Sequence, residues 1–390
     1  MNTERSLAHI EIITEIRPIP EKDRIVLAKV LGWNVVIGKD EFKVGDKVVY
    51  VEADSRLNTK LEMFSLLEKD ADRFGFVHIK TRKFGDSYSQ GICFRVPEQY
   101  VKLRAGSDLT KLMNKNREGK ELAIVHNEEY KELKEEWSDP KPKAPKIGFL
   151  RRIYYRLFPR KRRNSGYGRV PDPYTIGVRK TDEERIQNMV DLFARLREKG
   201  TVLIATEKID GQSFTSHIDE KGKIYVASRN VPMYFLHGKK VKRSGTYDGS
   251  NWRSVYEQYG LQDVLRKMHA GNGSSVTIQG EVIGTGIQGN HYKLMNEEKS
   301  LKVFNIVIDG KRLPFDEMAA ICAKYELETV PPLGKVTLTA DMTIENFIEL
   351  SDGMSVVNKN VIREGIVYRT EDYALSFKAV SNRFLMKRGE

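Results

Sequence analysis

The sequence predicts an α+β protein in which a small β-barrel precedes a mixed α/β domain. In the first 112 residues, short apolar segments alternate with turns, and little of this region has helical periodicity. After residue 173, segments with helical spacing alternate with strand-like segments. A chain of 390 residues is long enough for two domains or three small ones.

The barrel is predicted in residues 1–112. Its strands are expected at 7–13, 25–30, 34–37, 47–51 and 91–96. Several short strands in so few residues fit an OB-like barrel. The pattern alone also fits an SH3-like barrel or a small sandwich.

Residues 113–172 are predicted to form a charged helix and a basic linker. The helix is expected at 128–137, and it ends at Asp139-Pro140 because proline disfavours helix in the residue before it. From Pro140 to Val170 the chain has no acidic residue and carries eleven of the basic residues, which is nearly the whole net charge of +12. These are Lys141, Lys143, Lys146, Arg151, Arg152, Arg156, Arg160, Lys161, Arg162, Arg163 and Arg169.

Aromatic side chains such as Tyr154 and Phe158 lie among these basic residues. Basic groups that release counterions from phosphates, beside rings that stack on bases, are typical of nucleic-acid binding. A solvated linker or a localisation signal explains the same composition. The candidate RNA-binding residues are Arg151, Arg152, Arg160, Lys161, Arg162 and Arg163.

The mixed α/β domain is predicted in residues 173–390. Thr181-Asp182-Glu183-Glu184 has the capping-box pattern, and apolar residues at helical spacing follow it up to Gly200. Further helices are expected at 255–268, 315–325 and 344–350. Strands are expected at 202–206, 224–228, 276–283, 303–308, 365–368 and 375–380.

Lys208 is the candidate nucleophile, within the segment Glu207-Lys208-Ile209-Asp210-Gly211 at the end of a predicted strand. An ammonium cannot attack phosphorus, and at a reference pKa of ~10.4 only about one lysine in 2,500 is neutral at pH 7. Attack therefore requires that burial or a nearby cation lower the pKa of Lys208. Asp210 can orient the amine or hold metal-bound water, and Gly211 lets the backbone approach a nucleotide. Taken alone, the segment also fits a surface lysine beside a β-turn.

Five further segments follow in order, and with Lys208 they resemble the covalent nucleotidyltransferases, the superfamily of DNA ligases, RNA ligases and mRNA capping enzymes. The segments are Ser228-Arg229-Asn230, Gln279-Gly280-Glu281-Val282, Lys302-Val303-Phe304-Asn305-Ile306, Arg363-Glu364-Gly365-Ile366-Val367 and Ser376-Phe377-Lys378. The resemblance implies that Arg229 contacts the ribose or the attacking end, that Glu281 binds the ribose hydroxyls, and that Phe304 stacks on the base.

The resemblance also implies catalytic roles around Lys208. Asp210 and Glu364 supply the oxygen ligands that Mg²⁺ or Mn²⁺ needs. Lys378 neutralises charge on the α-phosphate, and as a nearby cation it lowers the pKa of Lys208. Glu207 is counted with the nucleotide-binding residues. Many relatives have a second lysine at the position of Ser376, so the second phosphate contact must come from elsewhere, such as Lys387 or the amino-terminal domain, or is absent.

The order of the domains indicates which branch of the superfamily is similar. Only 12 residues follow Lys378 (390 − 378 = 12), so there is no room after it for the OB domain that DNA ligases and capping enzymes carry. The chain resembles ATP-dependent RNA ligases with an OB-like domain ahead of a carboxy-terminal adenylyltransferase domain. The resemblance implies that this second domain is a mixed α/β ligase core with antiparallel sheets, similar to an ATP-grasp fold. The resemblance implies joining of RNA 3′-OH and 5′-phosphate ends, at nicks in duplex RNA, with ATP and Mg²⁺ or Mn²⁺. A GTP-dependent capping-type guanylyltransferase and a non-catalytic RNA-binding protein are the alternatives.

Composition excludes several other classes. No stretch reaches eighteen apolar residues, and the amino terminus lacks the apolar core of a signal peptide, so a cytoplasmic protein without membrane contact is expected. Two cysteines, Cys93 and Cys322, are too few for a disulfide framework. The seven histidines are scattered singly, which argues against a zinc site. RNA is the expected partner, and no obligate protein partner is predicted.

Overall fold

The computed structural model describes residues 6–114, 122–138, 178–229, 250–271, 273–295 and 299–389. The basic tract, residues 140–170, lies outside these ranges. So do its candidate RNA-binding residues, Arg151, Arg152, Arg160, Lys161, Arg162 and Arg163. Within them, no helix has both the length and the apolar character needed to cross a membrane.

The amino-terminal domain is built on a five-stranded antiparallel sheet with the strand order β3-β2-β1-β4-β9. Its strands are β1 Ala8–Ile19, β2 Lys22–Val30, β3 Trp33–Gly38, β4 Lys47–Val51 and β9 Ile92–Arg95. The long β1 changes register between Ile13 and Glu15, and its two halves pair with different neighbours, β4 and β2. A bulge bends a strand and increases its twist, so the sheet curls into an OB-like half-barrel. The predicted OB-like fold is confirmed.

Shorter strands complete this domain, and the sequence did not indicate them because each has only three or four residues. They are β5 Ser55–Asn58, β6 Phe76–His78, β7 Arg82–Phe84, β8 Ser87–Ser89 and β10 Ile124–His126. The short helices are the 3₁₀ turns Glu62–Asp70 and Glu98–Tyr100 and the α-helix Thr110–Met113.

The charged helix predicted at 128–137 is present as Asn127–Ser138. Strand β10, just before it, pairs with β5, and Tyr130 of the helix packs against Phe76 with ring centroids 5.0 Å apart. Leu122, Val125, Tyr130 and Leu133 of this segment therefore pack against Phe74 and Phe76 of the amino-terminal domain. We propose that this domain extends to Ser138 and does not end at residue 112.

The carboxy-terminal domain contains two sheets, each mostly antiparallel. The first has the order β11-β21-β20-β12-β19, and the second has β14-β13-β15-β16-β17 with β18 beside β16. The first sheet contains β11 Glu184–Arg185, β12 Val202–Lys208, β19 Pro332–Thr337, β20 Gly365–Thr370 and β21 Ser376–Val380. The second contains β13 Gln212–Ile218, β14 Ile224–Ala227, β15 Val276–Gly284, β16 Lys299–Ile308, β17 Lys311–Arg312 and β18 Glu328–Thr329.

Helices cover the outer face of each sheet. Phe193 and Phe347, from two different helices, bury against the first sheet, and Trp252 and Met318 bury against the second. The helices of this domain are Val190–Glu198, Ser250–Gln258, Leu261–Ala270, Phe315–Lys324, Ile344–Ser351 and Asn382–Arg388, with a 3₁₀ turn at Ile186–Asn188. The faces not covered by helices meet, and the candidate site lies between them.

Two predictions for this domain are wrong. The helix predicted at 255–268 is two helices that meet near Gly260. The capping box predicted at 181–184 is absent, because Glu184 pairs with Phe377 in a parallel strand and its carboxylate accepts hydrogen bonds from Arg185 and Asn188. A working capping box occurs instead at Thr343, with Asn346 as its partner.

The two domains contact each other through the 3₁₀ turn at Ile186–Asn188. The backbone N–H of Gly32 donates to the carbonyl of Gln187 at 2.9 Å, and Asn188 donates to the buried carboxylate of Glu52 at 2.6 Å. Only the two residues of β11 separate the turn from Thr181–Glu183, which line the site. Domain docking and the wall of the site therefore share one short segment.

Candidate active site

Strand alternation places Lys208 in the cleft between the two sheets. Successive residues of a strand point to opposite faces, and Leu203 and Ala205 of β12 pack in the helix-covered core. Thr206 and Lys208 face the other way and line the cleft. Lys208 is the last residue of β12, as predicted, and its side chain is 22% exposed.

Glu364 is the direct partner of Lys208. It precedes β20, and its Oε1 atom lies 2.6 Å from Nζ of Lys208. Burial lowers the pKa of Lys208, but the charge and hydrogen bond of Glu364, with the charge of Glu281, more than offset it, so the pKa is raised. The prediction that the pKa of Lys208 is lowered is therefore wrong while Glu364 holds the ammonium. The nearby cation that acts to lower it is Arg229, whereas Lys378 was predicted for that role.

Asp210 and Gly211 are fixed by contacts that the sequence did not reveal. The backbone N–H of Asp210 donates to the hydroxyl of buried Tyr292 at 2.8 Å, and the Asp210 carboxylate lies 3.5 Å from the Arg388 guanidinium. A Cβ atom on Gly211 would lie 2.3 Å from the carbonyl oxygen of Val282. Glycine is thus required here because a neighbouring strand passes close by.

Glu281 lies in β15, opposite Ser213 on one side and Lys302 on the other. Burial raises its pKa to about 8, although the charges of Lys208 and Arg229 act in the other direction. The carboxylates of Glu364 and Asp210 raise it further. Glu281 lines the cleft, whereas Asp210 and Glu364 lie outside its lining but near enough to act on Glu281. The three carboxyl groups repel one another when ionised.

A β-bulge positions Phe304. Between β15 and β16, Gln279 pairs with Asn305 and Gly280 pairs with Val303, so Phe304 has no partner across the ladder. Bulges commonly redirect a side chain next to an active site. Phe304 is only partly buried and lines the cleft, whereas Val303 is fully buried in the core behind the sheet. Its ring is available to stack on a flat ligand.

Ion pairs surround the rim of the cleft. Lys378 Nζ lies 3.0 Å from Asp182 Oδ1, and Arg229 lies 3.7 Å from the same oxygen. Beside them, Arg369 donates to Glu183 at 3.2 Å. Asp182, Glu183 and Arg369 were not identified as site residues from the sequence. The first two had been assigned to a helix terminus.

Glu207 lines the cleft, and one oxygen of its carboxylate is bonded to the protein backbone. Oε2 accepts a hydrogen bond from the backbone N–H of Val356 at 2.7 Å, and the side chain is almost fully buried. Burial raises the Glu207 pKa, and hydrogen bonds from Ser355 and Val356 act against that change. Glu207 therefore anchors the 355–358 loop against β12.

The carboxylates fit a divalent cation that is shared with a substrate. In the part of the chain that the structure describes, no group of three or more His, Cys, Asp or Glu side chains is arranged to hold a metal ion. Oε2 of Glu364, however, is buried and has no hydrogen-bond partner among the described residues. Mg²⁺ is often held by one or two carboxylates together with substrate phosphates and water. Asp210 and Glu364 suit that arrangement better than an all-protein metal site.

Two antiparallel sheets with a lysine at a strand end in the cleft between them place the carboxy-terminal domain among the nucleotidyltransferases. Residues 201–387 match the RNA ligase family, and residues 7–96 match an OB-fold domain family. The chain is an ATP-dependent RNA ligase of the class in which an OB-like domain precedes the nucleotidyltransferase domain.

Solved structures of the Naegleria gruberi RNA ligase are similar along nearly the whole chain. A variant with AMP and manganese is 26% identical, with a TM-score of 0.74, over 98% of this chain and 99% of that chain. The same values hold for the Naegleria enzyme with pyrophosphate. A further variant, with ATP and manganese, has a TM-score of 0.73 at the same identity and coverage. No curated protein sequence is significantly similar to this chain.

Proposed function

We propose that this ligase joins RNA 3′-OH and 5′-phosphate ends at nicks in duplex RNA, through an AMP attached to Lys208. The observation that carries the proposal is the position of Lys208, in one cleft with Glu281, Phe304 and Lys378. These side chains come from both sheets, so folding alone brings a nucleophile, a flat ring and opposite charges together. The same cleft suits a purine nucleoside triphosphate.

In the first step, the neutral amine of Lys208 attacks the α-phosphorus of ATP and pyrophosphate leaves. Phe304 stacks on the adenine, Glu281 accepts hydrogen bonds from the ribose hydroxyls, and Lys378 neutralises charge on the α-phosphate. Phosphoryl transfer depends mainly on positioning and charge neutralisation. Rigid strand ends suit this task because their side chains have little freedom.

The proton on Lys208 is controlled by Glu364. While the carboxylate holds the ammonium at 2.6 Å, the pKa of the lysine stays high. Once Glu364 is engaged elsewhere, burial and the Arg229 charge act to lower that pKa, and the charge of Glu281 still acts to raise it. Asp210 and Glu364 are the residues that would hold Mg²⁺ or Mn²⁺, which when bound neutralises phosphate charge.

In the second and third steps, AMP passes from Lys208 to the RNA 5′-phosphate, and a 3′-OH then displaces AMP to close the strand. Arg229 is 43% exposed at the rim and is placed to meet an incoming RNA end. We propose that Arg151, Arg152, Arg160, Lys161, Arg162 and Arg163 contact RNA phosphates. Neutralising four of them should then flatten the dependence of log affinity on log salt, and an unchanged slope would leave the tract a linker.

Mass spectrometry tests the covalent step directly. Wild-type protein incubated with ATP and Mg²⁺ should gain one AMP on Lys208, and Lys208→Ala should gain none. Lys335→Ala is the matched control, because Lys335 lies on the exposed edge of the same sheet and pairs with Glu371. Preferential labelling by GTP would instead favour a capping-type guanylyltransferase. Binding of RNA without labelling would favour a non-catalytic protein.

Sealing assays test the choice of substrate. Four nicked duplexes, with RNA or DNA on either side of the nick, should give the fastest sealing when the 3′-OH strand is RNA. Equal or faster sealing of single-stranded ends would contradict the proposed nick preference.

A further inference from the structure

The register of two strands places Arg369 next to the position where Ser376 leaves a charge missing. In the β20–β21 pair, Arg369 lies opposite Ser376 and Val367 lies opposite Lys378. Cross-strand partners project to the same face of a sheet. Arg369, Ser376 and Lys378 therefore share the face that forms the cleft, and Arg369 and Lys378 both line it.

Arg369 is buried and only partly satisfied. The residue is 3% exposed, and its guanidinium donates one hydrogen bond, to Oε1 of Glu183 at 3.2 Å. Its Nε atom has no hydrogen-bond partner among the described residues. A buried charged group with an unused donor is costly unless a further acceptor reaches it.

Positive charge exceeds negative charge in this corner of the cleft. Burial acts to raise the pKa of Glu183, but Arg369, Lys378 and Arg312 more than offset it and hold the pKa below its usual value. Burial, followed by the charge of Arg369, lowers the pKa of Arg312. Two carboxylates, those of Glu183 and of Asp182, which pairs with Lys378, thus face three cations. A polyanion is the ligand that balances the remaining positive charge.

We propose that Arg369 supplies the second cationic contact to the β- and γ-phosphates of ATP, in place of a lysine at position 376. The inference rests on the proposed function, since it names a contact in the same reaction. Arg369 reaches the cleft from the strand next to the one that carries Ser376. A second positive charge is therefore present in the cleft, supplied from β20 by Arg369 and not from β21 by a lysine at position 376.

The role belongs to the first step. The Lys208 nitrogen forms a bond to the α-phosphorus while the bond from that phosphorus to the bridging oxygen breaks. The electron pair of the broken bond leaves with pyrophosphate, and the nitrogen loses a proton to solvent. Negative charge grows on the leaving group, where Arg369 and Lys378 can stabilise it.

The test compares Arg369→Gln, Arg369→Ala and the double variant Arg369→Ala with Ser376→Lys. Each is assayed as the full chain in two reactions, formation of Lys208-AMP from ATP and Mg²⁺, and sealing of a nick that already carries a 5′-adenylylated RNA end. Loss of one charge-assisted contact should slow the first reaction by about 10- to 100-fold. The second reaction, which uses no triphosphate, should stay within about twofold of wild type.

Rescue separates a charge contact from a structural role. A lysine placed at position 376 in the Arg369→Ala background should recover at least about fivefold of the lost adenylylation rate. Arg369→Gln keeps most of the side-chain volume, so it should show the same loss in a protein whose Tm stays near that of wild type. Lys335→Ala, on the same sheet and away from the cleft, should behave as wild type in both reactions.

Three results would overturn the inference. These are wild-type adenylylation by Arg369→Gln, a double variant no faster than Arg369→Ala, or an equal loss in the sealing of adenylylated RNA. The last result would assign Arg369 to an RNA phosphate. If wild-type protein forms no Lys208-AMP, the proposed function itself fails, and that result is distinct from a wild-type rate in the variant.

Discussion

The Nζ atom of Lys208 and the Oε1 atom of Glu364 lie 2.6 Å apart, so the candidate nucleophile is paired with a candidate metal ligand. A metal ion held by this carboxylate would weaken its attraction for the ammonium. We therefore expect nucleotide and metal binding to be coupled to the charge state of the amine. This coupling can be measured without any substrate.

Glu364→Gln should lower the pKa of Lys208, because burial and Arg229 then act against a weaker opposing charge. The neutral fraction at pH 8 should rise on the order of tenfold, since one pKa unit changes it by that factor. Brief treatment with an amine-acylating reagent, followed by peptide mass spectrometry, measures this fraction. Exposed Lys311 is the internal reference. Unchanged or slower modification of Lys208 in the variant would refute the coupling.

Gly211→Ala should destabilise the protein and misplace Glu281. The added Cβ would lie 2.3 Å from the carbonyl of Val282 and 2.9 Å from Cγ of Glu281. Overpacking of this kind costs about 1–3 kcal/mol, and urea unfolding measures it. Gly271→Ala is the matched control, because a Cβ there meets no atom within 4 Å. Equal stabilities of the two variants would show that β15 moves away from the added Cβ at no measurable cost in free energy.

Strand alternation explains how much of the site could be predicted from the sequence. Lys208 and Lys378 each stand at a polar position next to buried residues, and that pattern is visible in one strand at a time. Arg369 is likewise a polar residue next to a buried one, Tyr368 of β20. It lies outside the six segments that resemble the superfamily, so it was not selected from the sequence. Its partner at Ser376 becomes evident only from the strand register.

Contacts between distant segments could not be predicted in this way. Tyr292 orients the backbone of Asp210 across 82 positions of the chain, and no local pattern links the two. The bulge at Phe304 depends on how β15 and β16 pair, and nothing in the sequence of β16 marks the extra residue. Asp182 and Glu183 fit a helix start locally, but the next two residues, Glu184–Arg185, pair with β21 and no helix begins there.

Phe304→Leu should weaken ATP binding while the fold is kept. Leucine fills most of the contact with the surrounding core but lacks the flat face that stacks on a base, and such stacking is worth about 1–3 kcal/mol. The KM for ATP in Lys208 adenylylation should rise about tenfold, and Phe304→Tyr should stay close to wild type. A Leu variant with an unchanged KM would make Phe304 a core residue only.

His9 should make the stability of the protein depend on pH. Burial lowers its pKa, but the hydrogen bond and charge of Glu52, 3.3 Å away, with Glu11 and Asp108, raise it above the usual 6.5. A raised pKa means that this stabilisation is complete below about pH 6.5 and is lost as pH rises through the folded value. The free energy of unfolding of wild type relative to His9→Gln, measured by urea unfolding, should therefore be larger at pH 6 than at pH 8.5.

His217 provides a comparison of opposite sign. It is buried beside Thr277, and burial lowers its pKa, against the charge of Asp219. Its contribution should be present above pH 6.5 and fall as pH drops through the lowered folded value. His217→Gln should therefore remove a loss of stability at acid pH. The same pH trend in both variants would mean that neither histidine determines the trend.

Gly32→Ala should separate the two domains. A Cβ on Gly32 would lie 2.8 Å from Cα and 2.9 Å from the carbonyl oxygen of Gln187, so the backbone hydrogen bond between the domains could not form as it stands. The turn that carries Gln187 follows Thr181–Glu183, and Glu183 holds Arg369. The variant should unfold in two thermal transitions where wild type shows one, and it should form Lys208-AMP several-fold more slowly. Gly271→Ala should keep one transition and the wild-type rate; a Gly32→Ala protein that did the same would show that docking of the OB-like domain does not shape the wall of the cleft.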